Sequence, residues 1–421
     1  MCLRTGVISK VYDIVVIGGG ASGLFAAIAA KYHNNNLSVA ILERNERVGK
    51  KILSTGNGRC NLTNENIELD RFHGENVKFA KSALLKFDKD TTLQYFMQMG
   101  IFPKTEGDKV YPNSLQASSV VDVLRLTVKS LGISEICNYE CISIYKNDEI
   151  FTLKIQNGQT IAAKSVIVCA GGAAAPNLGT DGSAYKLLEN FGHKLLPIYP
   201  SLVQVRCDSK LTMPMKGVKT DANVSAYVNG KFEKTEFGEL LFTDYGLSGP
   251  VIFQLSRIAS VGLQKKHKIV FEADIMPQVS RDEVYYHLCC RNREVPVEDF
   301  LTGMINKLCA RQLLKKCGVQ KFNTTAEVLS DDAIAMLADT IKSWKFEITG
   351  TNSWQQAQVT AGGICTDDFN PSTMESNLCN GLYAAGEILD IDGDCGGFNL
   401  QWAWSSGFVA GTSAAKKFDG R

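Results

Sequence analysis

A glycine-rich turn between two apolar segments constrains the fold of this chain more than any other feature. The β-branched run at 12–17 (YDIVVI) predicts a strand buried on both faces of a parallel sheet. Gly18-x-Gly20-x-x-Gly23 follows and opens a helix-forming segment at 21–32. In such a turn the glycines permit a tight bend, close approach of the backbone to a pyrophosphate, and close packing of helix on strand. The cofactor contacts predicted from this turn are Gly18, Gly20, Ala21, Ser22 and Gly23.

A second strand and its terminal acid support a nucleotide-binding interpretation. The segment 37–42 (LSVAIL) predicts another buried strand, and Glu43 follows it, 20 residues after Gly23. An acid at this spacing accepts hydrogen bonds from the ribose hydroxyls of an adenosine. A solvated glutamate at a strand end is the alternative. Because strand, helix and acid occur together, we predict an α/β chain with a Rossmann-like domain that binds a dinucleotide.

The segment after Glu43 distinguishes FAD from NAD. The sequence at 43–64, ERNERVGKKILSTGNGRCNLTN, resembles the BaiN-like and aminoacetone-oxidase-like bacterial FAD flavoproteins, which belong to the wider glutathione-reductase-like FAD fold. Its pieces R-V-G-K-K and G-N-G-R-C-N carry the resemblance. FGELLFTDYGLSGP at 237–250 and the C-terminal segment extend it over essentially the whole chain. The resemblance implies a three-domain, FAD-dependent oxidoreductase.

Basic and polar residues after Glu43 are candidates for cofactor contacts. Arg47 with Lys50 or Lys51 would neutralise a pyrophosphate, although a solvated basic loop has the same composition. Gly56 and Gly58 alternate with polar residues, which suits backbone packed against a flat ring. The candidates predicted from this segment are Arg44, Lys50, Lys51, Thr55, Gly56, Asn57, Gly58, Arg59 and Asn61.

Two further strand ends carry glycine. The strand predicted at 165–169 ends in Ala170, Gly171 and Gly172, a pattern similar to the crossing strand near the adenosine in such folds. The strand predicted at 382–385 ends in the pair Gly386 and Glu387, which resembles the Gly-acid motif of the family. The resemblance implies that Glu387 accepts a hydrogen bond from a ribityl hydroxyl, a group that NAD lacks.

A glycine pair opens the last predicted helix. The segment 396–403 (GGFNLQWA) predicts a helix that begins near Asn399. Its N-terminal amides and positive dipole end would then stabilise negative charge at N1 and O2 of a flavin. An ordinary helix with a glycine start is the alternative. The contacts predicted here are Gly397, Asn399, Leu400 and Gln401.

The chain is predicted to leave the nucleotide fold and return to it. We expect a discontinuous FAD-binding domain at 1–199 and 352–421, with an inserted β-barrel-like domain at 200–275 plus 340–351. A helical subdomain is expected at 276–339. The turn pair Asn229-Gly230 predicts a β-hairpin inside the inserted domain.

Composition excludes several classes of protein. The 421 residues include 45 basic and 44 acidic ones, so neither nucleic acid nor an acidic membrane is an expected partner. The 13 cysteines form no C-x-x-C pair, which argues against a dithiol centre and a zinc ribbon. No run approaches the roughly 20 apolar residues of a membrane helix, and the first ten residues lack a signal-peptide core. We therefore expect a cytoplasmic protein without a metal.

The expected chemistry is hydride transfer through flavin N5. The resemblance implies either reduction of a double bond conjugated to a ketone or oxidation of an amine by oxygen. With one dinucleotide fingerprint in the chain, NAD(P)H would bind transiently as electron donor to FAD, and the substrate would be a small molecule. An NAD-dependent dehydrogenase, a flavin redox sensor and an RNA-modification partner are the remaining alternatives. No side chain is assigned as acid or base, and Cys60 is interpreted as a small packed residue.

Overall fold

The computed structural model describes residues 11–420, so the first ten residues, in which no signal-peptide core is predicted, lie outside the described part. The described chain divides into two compact units. We call residues 11–199 with 359–420 the nucleotide unit and residues 200–358 the inserted unit. None of the helices in the described part combines the length and the apolarity needed to cross a membrane.

The strands of the described residues follow in chain order. They are β1 Val11–Ile17, β2 Val39–Glu43, β3 Thr63–Asn64, β4 Phe72–His73, β5 Pro103–Glu106, β6 Lys109–Pro112, β7 Ser134–Cys137, β8 Cys141–Asn147, β9 Ile150–Ile155, β10 Thr160–Val168, β11 Tyr199–Ser201, β12 Val205–Arg206, β13 Lys219–Val228, β14 Lys231–Phe242, β15 Gly246–Ser248, β16 Ile269–Asp274, β17 Trp344–Ile348, β18 Gly350–Thr351, β19 Val359–Ala361, β20 Leu382–Ala384 and β21 Asp392–Gly393.

The α-helices are numbered in the same way. They are α1 Ala21–His33, α2 Lys78–Lys86, α3 Lys89–Gln98, α4 Ala117–Ser130, α5 Tyr185–Glu189, α6 Ser209–Thr212, α7 Pro250–Gln264, α8 Arg281–Cys289, α9 Lys307–Lys316, α10 Asp331–Lys342 and α11 Phe398–Lys416.

A mixed sheet organises the nucleotide unit. Its order is β7-β2-β1-β10-β9-β8, and β20 joins β10. Strands β1, β2, β7, β10 and β20 run parallel, whereas β9 and β8 are antiparallel additions. β1 and β2 are almost wholly apolar because a parallel sheet is covered on both faces. The parallel strand ends bring the turn after β1, Glu43 and the segments after β10 and β20 to one edge.

Helices α1 and α11 pack backbone to backbone although they are far apart in sequence. A Cβ atom on Gly407 would lie 2.3 Å from the carbonyl oxygen of Ser22, and one on Gly411 would lie 2.0 Å from that of Ala26. Glycine is therefore required at both positions of α11. This contact explains how the C-terminal helix returns to the turn that opens α1.

The inserted unit is an antiparallel sheet covered by helices. Its strand order is β17-β16-β13-β14-β15-β12-β18. The predicted hairpin is β13 and β14, joined at Asn229 and Gly230, both of which have positive φ. One hydrophobic core contains residues of the sheet, such as Phe242 and Trp344, together with Leu313 of α9 and Leu337 of α10.

The domain boundaries differ from the predicted ones at two places. The nucleotide unit resumes at 359 rather than at 352, because β18 pairs with β12 and Asn352 donates its backbone N–H to the carbonyl oxygen of Gln204. The helices predicted as a separate subdomain at 276–339 share one core with the sheet. The α/β class with a Rossmann-like domain, an inserted β-rich region and helices is confirmed.

Candidate dinucleotide site

The three glycines of the first turn have three different environments. Gly18 has φ +99°, and a Cβ atom there would lie 2.5 Å from the carbonyl oxygen of Cys169. A Cβ atom on Gly23 would lie 1.9 Å from the carbonyl oxygen of Gly18, so helix and strand are in direct contact. A Cβ atom on Gly20 would meet nothing within 4 Å. The protein therefore leaves open space at the position where a pyrophosphate would approach the backbone.

The first turn of α1 is free to bind an anion. Gly20 is the N-cap residue, and no side chain caps the helix. Ala21 and Ser22 are its first two residues, and no acid lies in the first turn. Uncapped N–H groups and the positive end of the helix dipole favour a phosphate at this point.

Glu43 is buried at the end of β2 with its carboxylate fixed. Oε2 accepts the backbone N–H of Gly19 at 2.9 Å, and Oε1 accepts the backbone and side-chain N–H groups of Asn45 at 2.8 and 2.7 Å. Each carboxylate oxygen has two lone pairs. The arrangement ties the acid to the glycine turn and fits the ribose-binding role predicted for it.

The basic residues after Glu43 divide into paired and unpaired groups. Arg44 donates to Asp181 at 2.8 Å and lies 3.3 Å from Glu140, so acids of the protein hold it. Burial raises the pKa of Asp181, but hydrogen bonds from Arg44 and Ser183 outweigh burial and lower it to about 2. Lys50 is half-buried and has no carboxylate partner within the described residues. Arg47 is exposed and likewise has no carboxylate partner among these residues, so Arg47 and Lys50 are the cations in this segment available to a phosphate.

The loop from Thr55 to Asn61 has an unusual backbone. Gly56, Asn57 and Gly58 all have positive φ, at +56°, +54° and +81°. A Cβ atom on Gly56 would lie 3.1 Å from the backbone nitrogen of Asn61, so the loop folds tightly on itself. Thr55 donates its hydroxyl to the carbonyl oxygen of Ile52 at 2.6 Å. The loop is consequently a tightly folded, glycine-dependent surface.

Arg59 in this loop is held by neighbours of the same unit. Its guanidinium donates to Glu106 at 2.9 Å and to the hydroxyl of Tyr111 at 3.1 Å, and it lies over the Tyr111 ring at 4.3 Å.

Cys60 is fully buried, and burial raises the pKa of its thiol to about 12. A buried, protonated thiol fits the predicted packing role.

The strand ends after β10 and β20 are connected through a threonine that the sequence did not identify. The hydroxyl oxygen of Thr360 accepts the backbone N–H groups of Ala173 and Ala174 at 2.8 and 3.0 Å. The Thr360 N–H in turn donates to Oε1 of Glu387 at 2.9 Å. A Cβ atom on Gly172 would lie 2.3 Å from the Thr360 hydroxyl oxygen.

Lys51 and Glu387 form an ion pair at 2.9 Å, with each side chain about one-fifth exposed. The pair joins two segments that are 336 residues apart in sequence. The structure therefore brings together two residues that the sequence predicted separately as cofactor contacts. Ala170 and Gly171 precede this cluster, and Gly386 directly precedes Glu387, with φ +81°.

The start of α11 is built on the strand that follows the Thr55–Asn61 loop. Gly397 is the N-cap residue with φ +110°, and a Cβ atom there would lie 2.4 Å from the carbonyl oxygen of Thr63. Asn64 donates its amide to the carbonyl oxygen of Gly396 at 2.9 Å. No side chain caps α11. Like α1, this helix begins at a glycine and presents uncapped N–H groups.

Asn399 stabilises the turn that precedes α11 and does so from within the helix. Its Oδ1 accepts the N–H of Gly393 at 2.9 Å, and its Nδ2 donates to the carbonyl oxygen of the same residue at 2.7 Å. Leu400 is partly buried against the core. The Asn399 side chain therefore fixes the glycine loop that leads into the helix.

Gln401 is the centre of a fully buried polar network. Its Oε1 accepts the hydroxyl of Thr63 at 2.7 Å. Its Nε2 lies 2.8 Å from the hydroxyl of Thr92, 2.9 Å from that of Ser405 and 3.1 Å from the carbonyl oxygen of Phe87. The Gln401 side chain points into the fold and joins α11 to β3, the strand that follows the Thr55–Asn61 loop.

Two buried polar atoms without a protein partner support a bound polar ligand near these elements. They are the hydroxyl of Tyr185 and Oδ1 of Asn61. Burial, together with the carboxylates Glu387 and Asp390, raises the pKa of Tyr185, so its hydroxyl stays protonated and is a donor. Buried polar groups in proteins nearly always have partners. A donor beside Glu387 and an acceptor in the Thr55–Asn61 loop fit a cofactor rich in hydroxyl and amide groups.

Tyr185 and Thr360 were not identified from the sequence. The local signal for Tyr185 is a single aromatic residue in a short helix, which is typical of core packing. Thr360 is the middle residue of the short strand β19, with no motif around it. Their roles depend on contacts across 180 residues or more, which no local pattern records.

The chain resembles known proteins over nearly its whole length. The family described as HI0933-like protein Rossmann domain matches residues 12–413. The 3-dehydro-bile acid delta(4,6)-reductase of Clostridium scindens is 37% identical over 407 residues, which cover 96% of this chain and 99% of that protein. The ribosomal RNA dihydrouridine synthase of Haemophilus influenzae is 28% identical over 415 residues, which cover 97% of this chain and 100% of that protein.

A solved structure extends the likeness to the fold. The 3-ketosteroid delta1-dehydrogenase from Sterolibacterium denitrificans, solved with 1,4-androstadiene-3,17-dione, matches with a TM-score of 0.50. It is 11% identical, and the match covers 97% of this chain and 100% of that one. At this identity the match shows a shared fold.

Proposed function

Because the chain belongs to the HI0933-like family and is an FAD-dependent oxidoreductase, we propose that it reduces a carbon–carbon double bond conjugated to a carbonyl group. The observation that carries the proposal is the pair of uncapped helix starts in one unit, those of α1 and α11, two helices that pack against each other through glycine contacts. The start of α1 would bind a pyrophosphate, and the start of α11 would stabilise negative charge on the flavin ring.

The residues of the chain bind and orient the reactants. When bound, FAD supplies a hydride from its N5 atom. The open position at Gly20 takes the pyrophosphate, with Lys50 as its counter-ion. Glu43 orients the adenosine ribose, and Glu387 accepts a ribityl hydroxyl. The first turn of α11 stabilises negative charge on the pyrimidine edge, and Gln401 supports that turn from within the fold.

NAD(P)H is the proposed electron donor, and a small enone-type compound is the first candidate substrate. Support for the substrate class comes from the bile acid reductase, which is 37% identical over nearly the full length of both chains. The chain carries a single dinucleotide fingerprint, at Gly18 to Gly23, so the donor would bind transiently. A hydride delivered to the carbon β to a carbonyl leaves charge on the carbonyl oxygen, which donors in the site can stabilise.

A uracil base in RNA is the second candidate substrate. The C5–C6 double bond of uracil is conjugated to the C4 carbonyl, so its saturation is the same chemical step as enone reduction. The dihydrouridine synthases from Haemophilus influenzae and Escherichia coli, each 28% identical over more than nine-tenths of this chain, favour this candidate. The two candidates differ in the substrate and share the reaction.

Anaerobic mixing tests the reaction class. Flavin-loaded protein is mixed with NADPH or NADH and then with cyclohex-2-enone or a uridine oligonucleotide. We expect the pyridine nucleotide to bleach the flavin and one of the two acceptors to restore its colour, with a product heavier by two hydrogens. Reduction by aminoacetone alone, with peroxide formed in air, would replace the proposal with an amine oxidase. Failure of both acceptors to reoxidise the reduced flavin would overturn it.

Substitution of Gly20 tests the cofactor site independently of turnover. A valine side chain at this position meets no protein atom within 4 Å of its Cβ and needs no positive φ. We expect Gly20→Val to leave the unfolding free energy of the apoprotein within about 0.5 kcal/mol of wild type. Its affinity for FAD should fall by at least about a hundredfold, which corresponds to about 2.7 kcal/mol.

Gly350→Val in the inserted unit is the matched control for this substitution. A Cβ atom on Gly350 meets nothing closer than 3.8 Å, so the same side chain is added in open space. FAD affinity, measured by quenching of flavin fluorescence, should be unchanged. Equal loss of FAD in both variants would show that Gly20 does not face the cofactor.

A further inference from the structure

The near-zero charge of the whole chain hides an uneven distribution in the inserted unit. Between residues 200 and 358 there are 20 basic and 18 acidic residues, which resembles the overall balance. The 27 residues from 300 to 326 contain no acidic residue and five basic ones. Lys307, Arg311, Lys315, Lys316 and Lys321 are those five, and all of them are exposed. The segment therefore concentrates positive charge that the rest of the chain balances.

Helix α9 arranges three of these residues in one row. Lys307, Arg311 and Lys315 follow each other at intervals of four, which places them on one face about 6 Å apart along the helix axis. The opposite face is buried, with Cys309, Leu313 and other apolar residues in the core. The three basic side chains stay on the solvent side, because the opposite face of α9 is packed into the core.

Most of this charge is not neutralised by the protein. Lys307 has Asp299 at 3.4 Å, and Lys345 of the neighbouring strand β17 has Glu272 at 3.6 Å. Arg311, Lys315 and Lys316 have no carboxylate within 4 Å among the described residues. Although Lys316 is exposed as a whole residue, partial burial of its ammonium group and the nearby cation of Lys345 lower its pKa.

Arg311 is also held in a defined orientation. Its guanidinium lies over the ring of Phe322 at 4.7 Å. A planar guanidinium that is already stacked loses less freedom when it binds a phosphate than a mobile side chain does. The surface thus offers one oriented donor group with unneutralised cations one turn away.

We propose that the surface formed by Lys307, Arg311, Lys315, Lys316 and Lys345 binds the phosphate backbone of RNA. An anionic membrane fits less well, because the only strongly apolar exposed side chain of α9 is Leu308, and membrane-surface helices need a wide apolar face. A linear row of cations one helical turn apart matches a linear polyanion. The choice of RNA among polyanions rests on the proposed function, in which a uracil base in RNA is the second candidate substrate. The basic surface itself is observed independently of that proposal.

Salt-dependent binding of a fluorescein-labelled oligocytidylate tests the surface. This probe has phosphates but no uracil, so its binding does not depend on reduction of a base. For holoenzyme we expect binding that weakens as salt rises. Arg311→Gln/Lys315→Gln should bind at least about tenfold more weakly, and the slope of log affinity against log salt should become shallower by about 1.4, for two lost contacts with a single strand.

Lys231→Gln/Lys265→Gln is the matched control, with two exposed lysines of the same unit and the same loss of charge. It should retain wild-type affinity within about twofold. Enone and uridine reduction by each variant is measured in parallel, so failure of binding and failure of the proposed function are separate results. Calorimetric unfolding and flavin content verify that each variant is folded, and Lys315→Glu alone is a second test should the Arg311 change disturb Phe322.

Three outcomes would overturn the proposal. They are no binding of the oligocytidylate at low salt, equal weakening in the control variant, and binding to phosphatidylserine vesicles in place of RNA. Loss of RNA binding in Arg311→Gln/Lys315→Gln with wild-type unfolding temperature and unchanged enone reduction supports it.

Discussion

The nucleotide unit and the inserted unit use their interiors differently. In the nucleotide unit, buried polar groups such as Glu43, Thr360 and Gln401 are paired across long sequence separations. In the inserted unit, the core is apolar and aromatic, with Phe242, Trp344 and Phe346 in mutual contact. Apolar packing tolerates many side chains of suitable volume, whereas a buried hydrogen-bond network tolerates few. Fewer residue types are therefore expected to be tolerated at the buried positions of the nucleotide unit than at those of the inserted unit.

The largest expected difference between the two units is the loss of stability on substitution of buried glycines within helices. A Cβ atom on Gly411 of α11 would lie 2.0 Å from the backbone oxygen of Ala26, whereas one on Gly262 of α7 would lie 2.5 Å from the terminal Cδ1 of Ile269. We expect Gly411→Ala to lower the unfolding free energy by about 3 kcal/mol or more, because the backbone of α1 cannot yield. Denaturant unfolding measures the change.

Gly262→Ala is the control for that prediction. The Ile269 side chain can rotate away, and alanine favours a helix over glycine by about 1 kcal/mol. We expect a stability within about 1 kcal/mol of wild type. Similar losses in the two variants would mean that the units do not differ in how closely their backbones pack.

The next effect concerns buried glutamines. Gln401→Leu removes the hydrogen bonds to Thr63 and Thr92 and leaves their hydroxyls without that partner, at an expected cost of about 2–3 kcal/mol. Gln312 of α9 is also buried over most of its surface, but its side-chain amide is not fully buried and has no protein partner within the described residues, so Gln312→Leu should be neutral within about 0.5 kcal/mol. Thermal unfolding with flavin content as a second readout compares the two. Retained stability in Gln401→Leu would contradict the network.

The smallest effect is a pH dependence that belongs to the nucleotide unit. His193 is buried, stacks on Phe369 at 4.3 Å and contacts the Ser376 hydroxyl through Nε2 at 2.9 Å. Ser376 Oγ already accepts the N–H groups of Leu378 and Cys379, so it donates to Nε2 and the ring is neutral. Burial lowers the pKa of His193 below its ordinary value of 6.5, and the nearby Asp368 opposes this only in part.

The sign of the pH dependence follows from that lowered pKa. Below about pH 6.5 the unfolded chain takes up a proton that the folded chain refuses, so stability falls with decreasing pH down to the lowered pKa. We expect His193→Phe to be less sensitive than wild type between about pH 8 and about pH 5.5, with an effect smaller than those of the glycine and glutamine variants. Parallel slopes of unfolding temperature against pH would show that His193 is not the responsible group.

The sequence predicted the nucleotide unit better than the inserted one for physical reasons. The turn at Gly18 to Gly23 is local: contacts near the ends of β1 and β10 require glycine at Gly18 and Gly23, whereas Gly20 faces open space. The break between α2 and α3 is also local, because the side chain of Asp88 caps α3 by accepting the backbone N–H of Thr91. The roles of Tyr185 and Thr360 come from distant partners, which a local pattern does not contain.

The C-terminal return of the nucleotide unit has a consequence during synthesis. A ribosome completes residues 200–358 before it makes β20 and α11, so the inserted unit can close its core while the nucleotide unit is still unfinished. Until β20 arrives, the edge of β10 at Val166–Val168 has no partner, and α1 lacks the helix that covers it. An open apolar strand edge promotes association with other chains, so we expect the nascent protein to be most prone to association in the interval before α11 emerges.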